Sequence, residues 1–166
     1  MKKITDLIAD HITSVFEGGN WTEVNIKDTL DDVSYEEATT VTKATFNTIA
    51  ALIHHLTFYN NVVISRLGGE DPIITAANGF DMPPIKDEFD WEQLKMRCIK
   101  SADELAGIVK ALPEEKLCEP TVHGNASYYK TLHGIAEHAH YHLGQNVLLK
   151  KLVRQKLHQP VLSNSL

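Results

Sequence analysis

The sequence is poor in cysteine, and its two residues, Cys98 and Cys118, are far apart and not in C-x-x-C form. That argues against a disulfide framework and for two free thiols in the cytoplasm. It has no hydrophobic run of transmembrane length. The N-terminal stretch MKKITDLIADHITSVF begins with two lysines, as a signal peptide would, but Asp6 and Asp10 interrupt any apolar segment. No cluster of Lys and Arg with interleaved aromatics occurs. Lys150, Lys151 and Arg154 sit where a helix end would place cations. With 22 acidic residues against 16 Lys and Arg, the net charge of −6 disfavours nucleic acid and anionic membranes as partners. Glycine-rich phosphate loops, a nucleophile-elbow serine and dinucleotide fingerprints are missing. So are internal repeats and any stretch that alternates over strand length.

What remains is a chain of 166 residues, 43% hydrophobic and 23% charged, long enough for one domain with a full-sized core over residues 1–166. Nine histidines stand out, five of them in two short clusters: His54–His55 and His138, His140, His142.

Helical periodicity accounts for most of the sequence. Residues 2–16 carry Ile4, Leu7, Ile8, His11, Ile12 and Val15 at amphipathic spacing, and Gly18-Gly19 ends that helix. In the following loop Trp21 is expected to tuck against the bundle. Ile26–Val33 has room for a helical turn or two, and Ser34-x-x-Glu37 is a capping-box pattern. A second long helix covers 45–67, with Ile49, Leu52, Ile53, Leu56, Tyr59, Val63 and Leu67 on its apolar face. Residues 70–89 hold three prolines and read as a long loop of the kind that often lines a site. Asp90-x-x-Gln93 opens a third helix, buried through Leu94, Cys98, Ala102, Leu105, Ile108, Val109 and Leu112 and closed by Pro113. Ser127 can cap a fourth, about 128–154. The polar tail from Gln155 to Leu166 is left to wrap or fray. Four long amphipathic helices joined by long connections define an all-α four-helix bundle.

The fourth helix holds an anomaly. Leu132, Ile135, Ala139, His142, Asn146 and Leu149 recur at helical spacing, yet polar groups interrupt the apolar stripe. His138 and His142 share a face, one turn apart. Two imidazoles on a buried face need hydrogen-bond partners or a metal, and H-x3-H is a standard way for a helix to present two nitrogens to one ion. His140 is about 200° around the helix from His138 and faces solvent or a partner; His133 is also out of phase. A third ligand must come from His54 or His55, and His55 lies nearer the middle of its helix's apolar face. Three neutral imidazoles would leave coordination positions open, as catalytic sites do.

Neighbouring groups have plainer readings. Gln145 can hydrogen-bond a ligand or join two helices. Glu137 is about 100° off the ligand face and reads as surface. Tyr59 is a packing residue first, and Cys118 reads as a buried, inert thiol.

At this point a resemblance enters. HGIAEHAHYHLGQNVLLKK resembles the last-helix signature of the DinB-like (DinB/YfiT) superfamily, where H-x3-H followed by Gly-Gln recurs. TIAALIHHLTFYNNVV is similar to that family's second helix, in which a His precedes a pair of aromatics, and GGNWTEVNIKDTL to a loop found in one branch. The resemblance runs over about residues 1–154. It implies a four-helix bundle with long connecting loops and a mononuclear divalent site, zinc or nickel, held by three histidines. Those fall on His55, because Phe58-Tyr59 match the aromatic pair, and on His138 and His142. It also implies a homodimer and, in some relatives, transfer or isomerisation with a low-molecular-weight thiol. The reading is thus a metal-dependent transferase or hydrolase acting on a small molecule. The competing reading is a non-catalytic, stress-related bundle in which the metal or the histidines are structural.

Overall fold

The computed structural model describes residues 1–124 and 126–157. Within them the chain forms α1 (Ile4–Glu17), α2 (Ile26–Leu30), α3 (Tyr35–Thr39), α4 (Ile49–Leu67), α5 (Glu88–Ala111), a 3-10 turn (Glu114–Cys118) and α6 (Tyr128–Leu157). Among the described residues there is no strand, only an isolated bridge between Pro120 and Ser127. The long helices α1, α4, α5 and α6 close a ring in which α1 and α4 each pack against both α5 and α6. The fold is the all-α four-helix bundle expected, with α2 and α3 folded across one end. No helix among the described residues is long and apolar enough to cross a membrane. The part of the tail beyond Leu157 lies outside the described residues.

Caps fix where the helices begin, and they correct several boundaries. α4 starts at Ile49, not at residue 45, because the Thr48 hydroxyl accepts the Ala51 N–H at 3.1 Å; Phe46 stays outside and is exposed. α5 starts at Glu88, so residues 88 and 89 belong to it and not to the loop. Its cap is Asp87, which accepts from Asp90 N–H at 2.9 Å; the pattern Asp90-x-x-Gln93 is therefore inside the helix. The Ser34 and Glu37 side chains form the reciprocal capping box at α3. Ser127 caps α6 through Lys130 N–H at 3.2 Å.

Two apolar clusters fill the bundle. One, at the end closed by α2 and α3, gathers Phe16, Ile26, Leu30, Leu52, Leu56 and Trp91. The other gathers Ile12, Val63, Leu105, Leu117, Leu132 and Ile135. Trp91 is fully buried, its indole N–H donating to Val33 O at 2.7 Å. Trp21, expected to tuck in, is instead exposed, on the loop between α1 and α2. On α1 the buried face is Thr5, Ile8, Ala9, Ile12, Val15 and Phe16. Ile4 and Leu7 of the expected stripe face outward: the face that meets both α5 and α6 is rotated from the one their pattern alone defines. On α6, His138 falls between Ala136 of the second cluster and Ala139 of the first, and on α4 His55 lies among residues of the first cluster. Further along α4, Asn60 donates to Ser101 on α5 at 2.9 Å. His55 and His142 are thus among several polar side chains buried in the bundle.

Candidate metal centre

His55 is fixed by three groups that arrive from α4 itself and from the loop between α4 and α5. Its ring sits 3% exposed on the inner face of α4. Nδ1 donates to the backbone carbonyl of Asn78 at 2.8 Å. Phe80 stacks on the ring, centroids 4.2 Å apart and planes 15° from parallel, and Tyr59 meets it edge-on at 4.9 Å. The Tyr59 hydroxyl in turn donates to the Asn78 side-chain carbonyl.

The loop can do this because Asn78-Gly79 makes a reverse turn. Phe80 N–H donates to Ala77 O at 2.9 Å, with φ of +53° at Asn78 and +73° at Gly79. That pair of positive dihedrals is what a type I′ turn needs, and Asn-Gly is the dipeptide that best tolerates it. Gly79 is also pressed on Phe58, where an added Cβ would lie 2.5 Å from Cδ1.

On α6, His138 and His142 project from successive turns. His142 Nδ1 donates to Gln145 Oε1 at 2.6 Å, so the orienting role for Gln145 is realised within the same helix. The Nε2 atoms of His55 and His142 each lie 3.0 Å from Nε2 of His138. The three donor nitrogens all fall within 4.8 Å of one another.

The proton inventory tests whether this cluster suits a cation. The Nδ1 protons of His55 and His142 are committed to carbonyl acceptors, so their Nε2 atoms present lone pairs in the neutral state. His138 has one further proton at most, and its Nδ1 is buried without a partner. An Nε2–H on His138 can reach only one of its two neighbours. At least one Nε2 lone pair is left without a donor, a costly arrangement that a cation resolves. Protons are poor candidates for that cation. Burial, and after it the neighbouring His142 and His55, pushes the His138 pKa down to about 4. Burial also lowers those of His55 and His142, against the opposing effect of their carbonyl partners. The separation of 3.0 Å is close to the roughly 3.0–3.4 Å expected between nitrogens about 2.1 Å from one ion in octahedral or tetrahedral geometry. The donor set therefore fits a divalent ion of the borderline kind that imidazoles favour.

The other histidines are elsewhere. His54 points away, into a large cleft shared with Phe58, Pro84, Phe89 and Arg97. His140 and His133 face α1, with His11 ring centroids 5.8 and 6.4 Å away; His140 thus has a helix neighbour, not solvent alone. Glu137 is exposed, as expected. Cys118, read as buried, is exposed, and the buried thiol is Cys98. Cys118 ends the 3-10 turn, whose inward residue is Leu117.

Sequence reasoning missed Asn78, Gly79 and Phe80 as supports of the site. The Asn-Gly dipeptide in the middle of a long loop was the available signal. It also missed Arg66, which with Tyr59, Asn78 and Thr131 lines an open cleft of about 320 Å³ that reaches His55 and His138.

Fold and site together define an all-helical bundle with a three-histidine group open to a cleft. A model of the DinB superfamily matches residues 20–146, most of the chain and both histidine-bearing helices down to His142. The chain belongs to the DinB superfamily. No curated protein and no solved structure matches it.

Proposed function

We propose that this chain is a metal-dependent enzyme in which His55, His138 and His142 hold one divalent ion, zinc or nickel. The reaction is transfer of a thiol to a small electrophile, or hydrolysis. The observation that carries the reading is the convergence of three Nε2 lone pairs beside a cleft, with no carboxylate among them. A divalent ion with three neutral protein ligands lowers the pKa of a water or thiol that binds it and polarises a carbonyl.

The chain's own groups have definite tasks in this scheme. Asn78 O and Gln145 Oε1 hold His55 and His142 in the tautomer that offers Nε2. Phe80 covers one face of His55 and keeps water from it. Tyr59, edge-on to both His55 and His138, holds the Asn78 side chain and so the turn.

Elemental analysis after native purification and after reloading with zinc tests the first half of the proposal: one ion per chain is expected, and none in His142→Ala. A chain that takes up no ion under either condition would end the reading. Reaction of the loaded protein with a low-molecular-weight thiol and a generic electrophile tests the second half. A purely structural ion would instead be shielded from solvent, and its loss in His142→Ala would lower the melting temperature strongly without any activity to lose. We also propose that the protein works in the cytoplasm as a homodimer. The exposed Ile4 and Leu7 on α1 and Tyr141 and Leu148 on α6 offer apolar area for pairing, which light scattering would detect.

A further inference from the structure

The cleft beside the histidines has an electrostatic character of its own. None of its lining residues is acidic, in a chain where Asp and Glu outnumber Lys and Arg by 22 to 16. Its one permanently charged lining residue is Arg66. That side chain is only 14% exposed. Asp71 accepts from Arg66 Nε at 3.1 Å through Oδ1, while its Oδ2 accepts from His123 at 2.9 Å. The bond through Nε fixes the guanidinium plane. Among the described residues the two terminal nitrogens have no partner, and they form the two-donor edge that matches a carboxylate.

Position adds a second constraint. His55, Tyr59 and Arg66 lie along one side of α4, the first and last eleven residues and about 16 Å of helix apart. Helical side chains lean toward the N-terminus, so the long Arg66 side chain leans back toward His55. The gap left over spans several carbon atoms, not one. The volume, about 320 Å³, is at the small end of the roughly 300–1,000 Å³ typical of small-molecule sites. With a divalent ion held by three neutral ligands, no protein carboxylate offsets the ion's charge; at the other end Asp71 offsets the Arg66 charge through Nε and leaves the two terminal nitrogens as donors.

We propose that this cleft takes a small carboxylic acid, with its carboxylate on the terminal nitrogens of Arg66 and its reacting end several carbons away at the three histidines. This rests on the metal-dependent reading above and supplies the substrate class that reading leaves open. Tyr59, Asn78 and Thr131 line the span between the two ends.

The test uses the full chain loaded with zinc and isothermal titration with succinate, glutarate and adipate, and with adipamide as the uncharged control. In the wild type, affinity is expected to vary with diacid length, and adipamide to bind far more weakly than adipate. Arg66→Gln should weaken the best diacid by at least about tenfold, the worth of a charge-assisted pair. It should remove the length dependence and leave zinc stoichiometry unchanged. Arg66→Lys, which keeps the charge and loses the fork, should fall between. Equal affinities in wild type and Arg66→Gln, or no preference for diacid over diamide, would overturn the proposal. If the wild type takes up no zinc, the metal reading fails separately. Butyrate titrated into the metal-free wild type and Arg66→Gln then decides the acid subsite alone: weaker binding to the variant sustains it, and equal binding removes it.

Discussion

The backbone carbonyl of Asn78 accepts the Nδ1 proton of His55 across 23 residues of sequence, at 2.8 Å, from a residue whose φ is +53°. A side chain on a helix is thus aimed by a loop held in a left-handed turn. The carbonyl does two things: it directs Nε2 toward the other histidines and fixes where the proton of the neutral ring sits.

Gly79→Ala should break this arrangement. The new Cβ would fall 2.5 Å from Phe58 Cδ1, at a φ of +73° that side chains rarely adopt. A loss of about 1–3 kcal/mol in stability is expected from the backbone strain and the clash. Zinc affinity should drop at least about tenfold as the Asn78 carbonyl leaves His55, in line with losses seen when ligand-orienting partners are removed. Chemical denaturation and metal titration on the same variant measure the two effects. A destabilised variant that still binds zinc at wild-type affinity would mean that the turn does not aim His55.

The metal-free protein should lose stability on mild acidification. His138 is pushed down from 6.5 to about 4 in the fold, so between these values the unfolded chain binds more protons than the folded one. Stability from this source is complete above about pH 6.5 and lost as pH falls toward 4; the lowered pKa values of His55 and His142 act in the same sense. Denaturation midpoints taken across that window should fall in the wild type and fall less in His138→Asn. Zinc should be released over the same range, because protons and the ion compete for the same lone pairs.

Much of this could be read from the sequence, and the parts that could not share a cause. The four long helices were visible because each repeats its apolar residues over several turns. His138 and His142 were visible because they interrupt such a repeat, and His55 because it sits on a broad apolar face. Errors came where a local contact decides between near-equal choices. The start of α4 depends on one Thr48 hydroxyl, and the facing of α1 on the neighbours it meets. Trp21 and Trp91 are alike as residues, and only the packing shows which one is enclosed. The Asn78 support was hidden because its acceptor is a main-chain carbonyl, which every residue possesses.

Thiol labelling should separate the two cysteines cleanly. Cys98 is fully buried and its thiol is pushed up to about 12 by that burial, whereas Cys118 is exposed. One equivalent of a thiol reagent should react quickly with the folded protein and the second only on unfolding. Two fast equivalents would show that the core around Cys98 opens readily.

Arg154 ties the end of α6 to the short helices. It donates to Glu37 Oε1 at 2.7 Å and Oε2 at 3.2 Å, and to Asp32 Oδ2 at 3.0 Å and its backbone carbonyl at 2.7 Å. The Lys150 ammonium, and after it Arg154, hold the Asp32 carboxyl down to about 2. The groups are largely solvent-screened, so Arg154→Met should cost only about 1 kcal/mol, and less at high salt. The three-histidine group should be unaffected, since the change falls at the far end of α6. Melting curves at low and high salt, with zinc stoichiometry, check all three points.

The two histidines of α6 and the one of α4 differ in what they depend on, and for an ion held as proposed the consequence is kinetic. An arriving ion meets His138 and His142 on one helix, the second already oriented by Gln145 three residues on. The third donor is competent only while a turn in a long loop is seated. Uptake should therefore be a fast two-point landing followed by a slower closure, and release should wait on the loop unseating. Stopped-flow uptake would then show two phases in the wild type, with Gly79→Ala losing the slower one. On the proposed reading, the loop and not the bundle would set how long an ion stays.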